Sequence, residues 1–100
     1  MRAFVVVAVA LALAACGSSR SHENVVALAK DAYARAKARG VAMAPGPCLG
    51  VIKPGWVADV AHNPRRPVDD EPQNECAAYR SGKAHHFVEL DPDGRYIRSG

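Results

Sequence analysis

Three histidines, His62, His85 and His86, with the carboxylates Asp59 and Glu89 close to them in sequence, are the residues whose types could support catalysis. Three imidazoles can hold a zinc ion with a fourth position open to water, and a neighbouring carboxylate can take that water's proton. The spacing argues against such a site. His85 and His86 are neighbours on an expected strand, where successive side chains point to opposite faces, and there is no His-Glu-x-x-His pair. The expectation is one half-buried histidine and a surface one, with a metal site at His62, His85 and His86 as the alternative. No serine sits in a Gly-x-Ser-x-Gly turn, since Ser81 is followed by glycine but preceded by arginine. No glycine-rich phosphate loop follows a strand, so no catalytic residue is assigned. Asp91 and Asp93 lack the further oxygen ligands of an EF-type calcium loop.

The cysteines carry a different chemistry. The chain has three, Cys16, Cys48 and Cys76, and Cys16 closes a distinctive leader. A single basic residue, Arg2, precedes an uncharged apolar segment over residues 3–13, too short to cross a bilayer as a helix, and small residues follow. Leu13-Ala14-Ala15-Cys16 resembles the lipobox of bacterial lipoproteins at every position. The resemblance implies that residues 1–15 are a signal peptide and that Cys16 receives a diacylglyceryl thioether. Cys16 then becomes the mature N-terminus and is acylated, for instance with palmitate, on its amine. An ordinary secretory cut after Ala12-Leu13-Ala14 is the alternative, and it leaves Cys16 as an unexplained thiol.

With Cys16 assigned to lipid, Cys48 and Cys76 are the remaining pair, in a compartment where disulfides persist. Each buried methylene contributes about 0.8 kcal/mol, so two or three acyl chains anchor stably. No cofactor is expected beyond this covalent lipid. Residues 16–21 read as a short lipid-anchored tether, and residues 22–100 as one small domain. Gly17 is not the aspartate that resembles an inner-membrane retention signal. The expected location is therefore the outer membrane where two membranes exist, and otherwise the outer face of the cytoplasmic membrane. Of the chain's 13 basic residues, Arg2 leaves with the signal, so the mature charge against 10 acidic residues is +2. That near-neutral, interspersed balance, together with export, points away from nucleic acid.

The elements that must position these residues begin with a helix. Ser21 can cap it, and Val25, Val26, Leu28, Ala29, Ala32, Tyr33 and Ala36 fall on one face at about 100° per residue. Gly40 is placed to end it. Beyond lie a short extended segment at Val41-Ala42-Met43, a buried strand over residues 49–52 and a Lys53-Pro54-Gly55-Trp56 turn, whose type II form suits a tight hairpin poorly. A second strand over residues 56–62 places Trp56, Ala58, Val60 and His62 on one face, with Trp56 expected as the largest core residue. Residues 63–75 have no periodicity and three prolines, with Pro64-Arg65-Arg66-Pro67 as a rigid segment. Arg65, Arg66, Asp69, Asp70 and Glu71 make this loop the candidate partner-binding surface. Strands at residues 87–90 and 96–97 flank Asp91-Pro92-Asp93-Gly94, the clearest hairpin signal.

The expected fold is α+β: one N-terminal amphipathic helix and a three- or four-stranded antiparallel sheet, closed by a Cys48–Cys76 disulfide. The expected function is a non-catalytic, lipid-anchored module of the cell envelope that binds an envelope protein or cell-wall partner. The alternative is a small metal-dependent or hydrolytic enzyme using His62 and His85 or His86.

Overall fold

Helix α1 runs over Gly17–Ala38. The computed structural model describes Ala3 and residues 17–100, with the side chains of α1 from Asn24 onward. The signal peptide expected over residues 1–15, apart from Ala3, and the lipidation position Cys16 lie outside the described residues. Because α1 starts at Gly17, the stretch expected as a flexible tether is helical backbone, and Ser21 lies inside the helix rather than at its cap. Val25, Ala29, Ala32, Tyr33 and Ala36 are buried, while Lys30, Asp31, Arg35 and Lys37 are exposed. The helix ends as Gly40 allows. With φ at +82°, Gly40 donates to Lys37 O at 3.0 Å and Val41 donates to Ala36 O at 3.0 Å, a paired closure of the last carbonyls.

Four strands follow: β1 at Cys48–Lys53, β2 at Trp56–Val60, β3 at His86–Leu90 and β4 at Tyr96–Ser99. They lie in sequence order, β1-β2-β3-β4. The α+β class and the disulfide hold, but the sheet is mixed: β1–β2 and β3–β4 are antiparallel, whereas β2 and β3 are parallel. A parallel pair needs a long crossover, and residues 61–85 supply one. This connection contains two 3-10 turns, Pro67–Asp70 and Pro72–Asn74, and the one-turn helix α2 at Ala77–Arg80. Ala77, directly after the disulfide cysteine, opens that helix.

The crossover covers one face of the sheet and α1 covers the other. Ala58 and Val60 of β2 are register partners of Val88 and Leu90 of β3, and all four face α1 with Val25, Ala29, Tyr33, Ala36 and Met43. Alternation sends Val57 and Phe87 to the opposite face, where Cys76, Ala78 and Ala84 pack against them. Cys48 and Cys76 are bonded there, with Cα atoms 5.0 Å apart, so the bridge pins the crossover to β1.

Several local expectations are corrected. Trp56 is only half-buried, stacked on His86 at 4.6 Å between ring centroids, and the largest fully buried side chains include Leu90, Val25 and Val57. It stands at the end of β2, beyond full cover by α1. β1 is an edge strand with Val51 exposed, not a buried one. The Pro54-Gly55 turn does close a two-residue hairpin, Lys53 pairing with Trp56, and a register irregularity between Val51 and Lys53 absorbs the misfit of twist. Residues 41–43 form no strand, although Met43 enters the core.

Candidate functional site

One row of side chains crosses the crossover-facing side of the sheet. Cys48 on β1 is the register partner of Asp59 on β2, Asp59 of Glu89 on β3, and Glu89 of Arg98 on β4. Period-2 alternation puts the two acids on the same face as Val57 and Phe87, beneath the crossover. Glu89 is almost fully buried, with its side chain 5% exposed, and both carboxylate oxygens are matched. Arg65 Nη1 donates to Oε1 at 2.8 Å and Arg98 Nε donates to Oε2 at 2.9 Å. Arg65 also donates from Nε to Asp70 at 2.8 Å. That hydrogen bond first, and the pull of Glu89 with it, hold the Arg65 guanidinium more firmly protonated than usual despite its partial desolvation.

Asp59 has no such partners. Its carboxyl group forms no hydrogen bond or ion pair with any described residue, yet its oxygens are not sealed from solvent. Burial, and then the charge of Glu89, push it up to about 7 from an ordinary 3.8, against the opposing pull of Arg65 and Arg98. It therefore titrates near neutrality. Asp59 opens into a cleft of about 420 Å³ lined also by Val57, Arg65, Glu75, Cys76, Tyr79, Arg80, Phe87, Glu89 and Arg98. Tyr79 meets Phe87 edge-to-face at 5.5 Å, and the Arg98 guanidinium lies over the Phe87 ring at 5.2 Å.

No protein-family profile matches this chain, and neither a curated protein nor a solved structure shows similarity to it.

The histidines do not converge. His86 begins β3 opposite Trp56, whereas His62 lies past Val60 at the other end of the ribbon, about 20 Å away at the rise of a strand. His85 precedes β3 and is exposed. Among the described residues no three His, Cys, Asp or Glu side chains are grouped to hold a metal ion. The arrangement required by the alternative enzyme is thus not assembled, because the parallel register separates the two histidine positions by the length of β2.

His62 instead serves the loop. Its Nδ1 lies 2.9 Å from Asp69 Oδ1, and its backbone N–H donates to Asp69 Oδ2 at 3.0 Å, joined there by the N–H of Arg66 at 2.8 Å. Burial alone would raise Asp69. The donors from Arg66 and His62 outweigh it and hold the carboxyl below its ordinary value.

The candidate partner-binding residues consequently divide. Asp69 is buried, and Arg65, although exposed, bridges inward to Glu89 and outward to Asp70, while Arg66, Asp70 and Glu71 stay on the outer surface. Asp91 Oδ1 is used within its own turn, accepting the N–H groups of Asp93 and Arg95 at 2.9 Å each. In the sequence Asp59 and Glu89 stand out only as neighbours of histidine. A signal for their pairing was present: Trp56-Val57-Ala58-Asp59-Val60 and His86-Phe87-Val88-Glu89-Leu90 each carry one acid at the same place in an apolar strand. Arg98, Tyr79 and Arg80 carried no comparable signal.

Proposed function

We propose that this protein is a lipid-anchored module of the bacterial cell envelope, held on a membrane through acyl chains on Cys16 and acting as a binding rather than a catalytic domain. The observation that carries the reading is the Cys48–Cys76 disulfide. It accounts for two of the three cysteines and suits an oxidising compartment, leaving as the odd one the cysteine that ends Leu13-Ala14-Ala15-Cys16. The outer face of the crossover, with Arg66, Asp70 and Glu71 exposed, supports a role in meeting an envelope protein or cell-wall partner, since loops held on a rigid scaffold commonly carry binding function.

The test is acyl labelling with membrane fractionation of the unmodified protein and Cys16→Ser in a bacterial host. Loss of label and release of the chain from membranes are expected. A variant that stays membrane-bound removes the anchor. In-cell crosslinking from the position of Glu71 then identifies what the loop meets, and a crosslinking pattern unchanged by Arg66→Glu together with Asp70→Arg removes the loop from the reading.

A further inference from the structure

The cleft beneath the crossover lies apart from the loop's outer face, and its chemistry is specific. Its lining carries three guanidinium groups, Arg65, Arg80 and Arg98, and three carboxyl groups, Asp59, Glu75 and Glu89. A balanced set of this kind suits a ligand that is neutral overall but carries both charges. The groups left open to a ligand are also of both signs. The Asp59 carboxyl group, open to solvent, accepts from no donor among the described residues. Arg98 hydrogen-bonds only through Nε, so its two terminal nitrogens have no acceptor among the described residues. Among the described residues Arg80 engages Nη1 alone, toward Pro72 O at 3.2 Å and Glu75 at 3.9 Å, and both Arg80 and Arg98 keep more than half of their side chains exposed.

We propose that this cleft binds a small zwitterion, an α-amino acid or dipeptide with an apolar side chain, its ammonium group on Asp59 and its carboxylate on the free guanidinium nitrogens of Arg98 and Arg80. An ammonium group supplies the donors and the positive charge that Asp59 lacks beside the already neutralised Glu89. A guanidinium edge matches a carboxylate in geometry as well as charge. Phe87, Tyr79 and Val57 offer the apolar wall for the ligand's side chain. Asp59 and Arg98 stand two strands apart, about 10 Å between backbones, a gap that the long arginine side chain and a ligand of this size bridge together. The volume lies within the range of small-molecule sites. A simple anion would leave Asp59 facing a second negative charge, and a simple cation would leave the guanidiniums unmatched.

Binding of the ammonium group requires Asp59 ionised. The charged or titratable groups facing it are Glu89 from β3, Arg98 from β4, Arg65 and Asp69 from the crossover, and Glu75, Tyr79 and Arg80 from α2 and its approach. With Asp59 ionising in the neutral range, affinity rises with pH there.

The experiment is calorimetric titration of the purified full chain with phenylalanine and alanyl-phenylalanine, against phenylpropionate, which lacks the ammonium group, and phenethylamine, which lacks the carboxylate. The zwitterions are expected to bind at least about tenfold more tightly than either half-ligand; between pH 6 and pH 8 phenylalanine should gain about tenfold and alanyl-phenylalanine about three- to fivefold, because the dipeptide's own ammonium group deprotonates near pH 8. Asp59→Asn should remove both the advantage over phenylpropionate and the pH dependence. No saturable binding of either zwitterion overturns the proposal, as does equal or tighter binding of phenylpropionate or phenethylamine, or a pH profile of the unmodified protein that is flat or rises toward acid. Cys16→Ser should leave the titration unchanged, so failure of the anchor and failure of this site are read separately.

Discussion

Asp59 and Glu89 are register partners across the parallel β2–β3 pair, and Arg65 of the crossover with Arg98 of β4 neutralises only Glu89. Glu89 receives a guanidinium on each oxygen, while the Asp59 carboxyl group in the cleft, without a partner among the described residues, absorbs the electrostatic consequence. Side-by-side carboxyls seldom both ionise when partly buried, so the one with fewer donors holds its proton longer.

This asymmetry predicts a pH-dependent gain from Asp59→Asn. The folded value near 7 exceeds the ordinary 3.8, so the stability linked to Asp59 is fully present below about pH 4 and is lost as pH rises through about 7. The variant escapes that loss. Urea denaturation should show near-equal stability at acid pH and an advantage for Asp59→Asn on the order of 3 kcal/mol at pH 8. Equal stability at both pH values would mean that Asp59 is well solvated.

Asp69 has the opposite sign. Its carboxyl group is held below the ordinary 3.8, so its contribution is present above that value and is lost as pH falls below it. Asp69→Ala leaves the His62 and Arg66 N–H groups without their acceptor and should lower stability by about 3 kcal/mol at pH 7. Hydrogen exchange at the amides of His62 and Arg66 should accelerate first. Protection of those amides at the level of the unmodified protein would contradict the role assigned to Asp69.

Gly94 tests how α1 holds the β3–β4 hairpin. Tyr33 donates its hydroxyl to Pro92 O at 2.7 Å, and a Cβ on Gly94, whose φ is +85°, would stand 2.9 Å from the Tyr33 ring. Gly94→Ala should therefore lower stability by about 2–3 kcal/mol, combining backbone strain with the clash. Gly55→Ala meets the same strain at φ +81° with nothing within 4 Å, and should lower it by only about 1 kcal/mol. Equal losses in thermal melts would show that the ring moves aside freely.

The disulfide closes a separation of 28 residues. In the chain-entropy picture, Cys48→Ser or Cys76→Ser should lower stability by about 3.5 kcal/mol. Reduction should loosen the crossover before the α1-facing core, because Cys76 is its covalent tie to the sheet while Val88 and Leu90 pack independently against α1. Mass shifts on reduction and amide exchange across residues 61–76 measure this. Variants melting with the unmodified protein would remove the bridge's structural role.

Much of the local structure was legible from neighbouring residues alone. The apolar spacing from Val25 to Ala36 marked the helix, and Gly40 its end, because 3.6-residue periodicity and left-handed backbone are properties of a short segment. Pro54-Gly55 and Asp91-Pro92-Asp93-Gly94 marked their turns for the same reason. The pairing of Cys48 with Cys76 followed from counting only once the lipobox resemblance had set Cys16 aside. The direction of β2 against β3 was not legible, since residues 61–85 carry no period that says whether the chain turns back beside β2 or crosses over the sheet first. That choice decided everything about the site. The parallel register carried His62 and His86 to opposite ends of the ribbon and set Asp59 beside Glu89, while the crossover brought Arg65 down onto one carboxylate and left the other open. Neighbouring residues were enough to mark the body of the helix, its glycine end and two turns, although not the helix start or the one-turn helix after Cys76. Only the tertiary structure decided which charges would meet, because desolvation and ion pairing depend on distances between strands that are far apart along the chain.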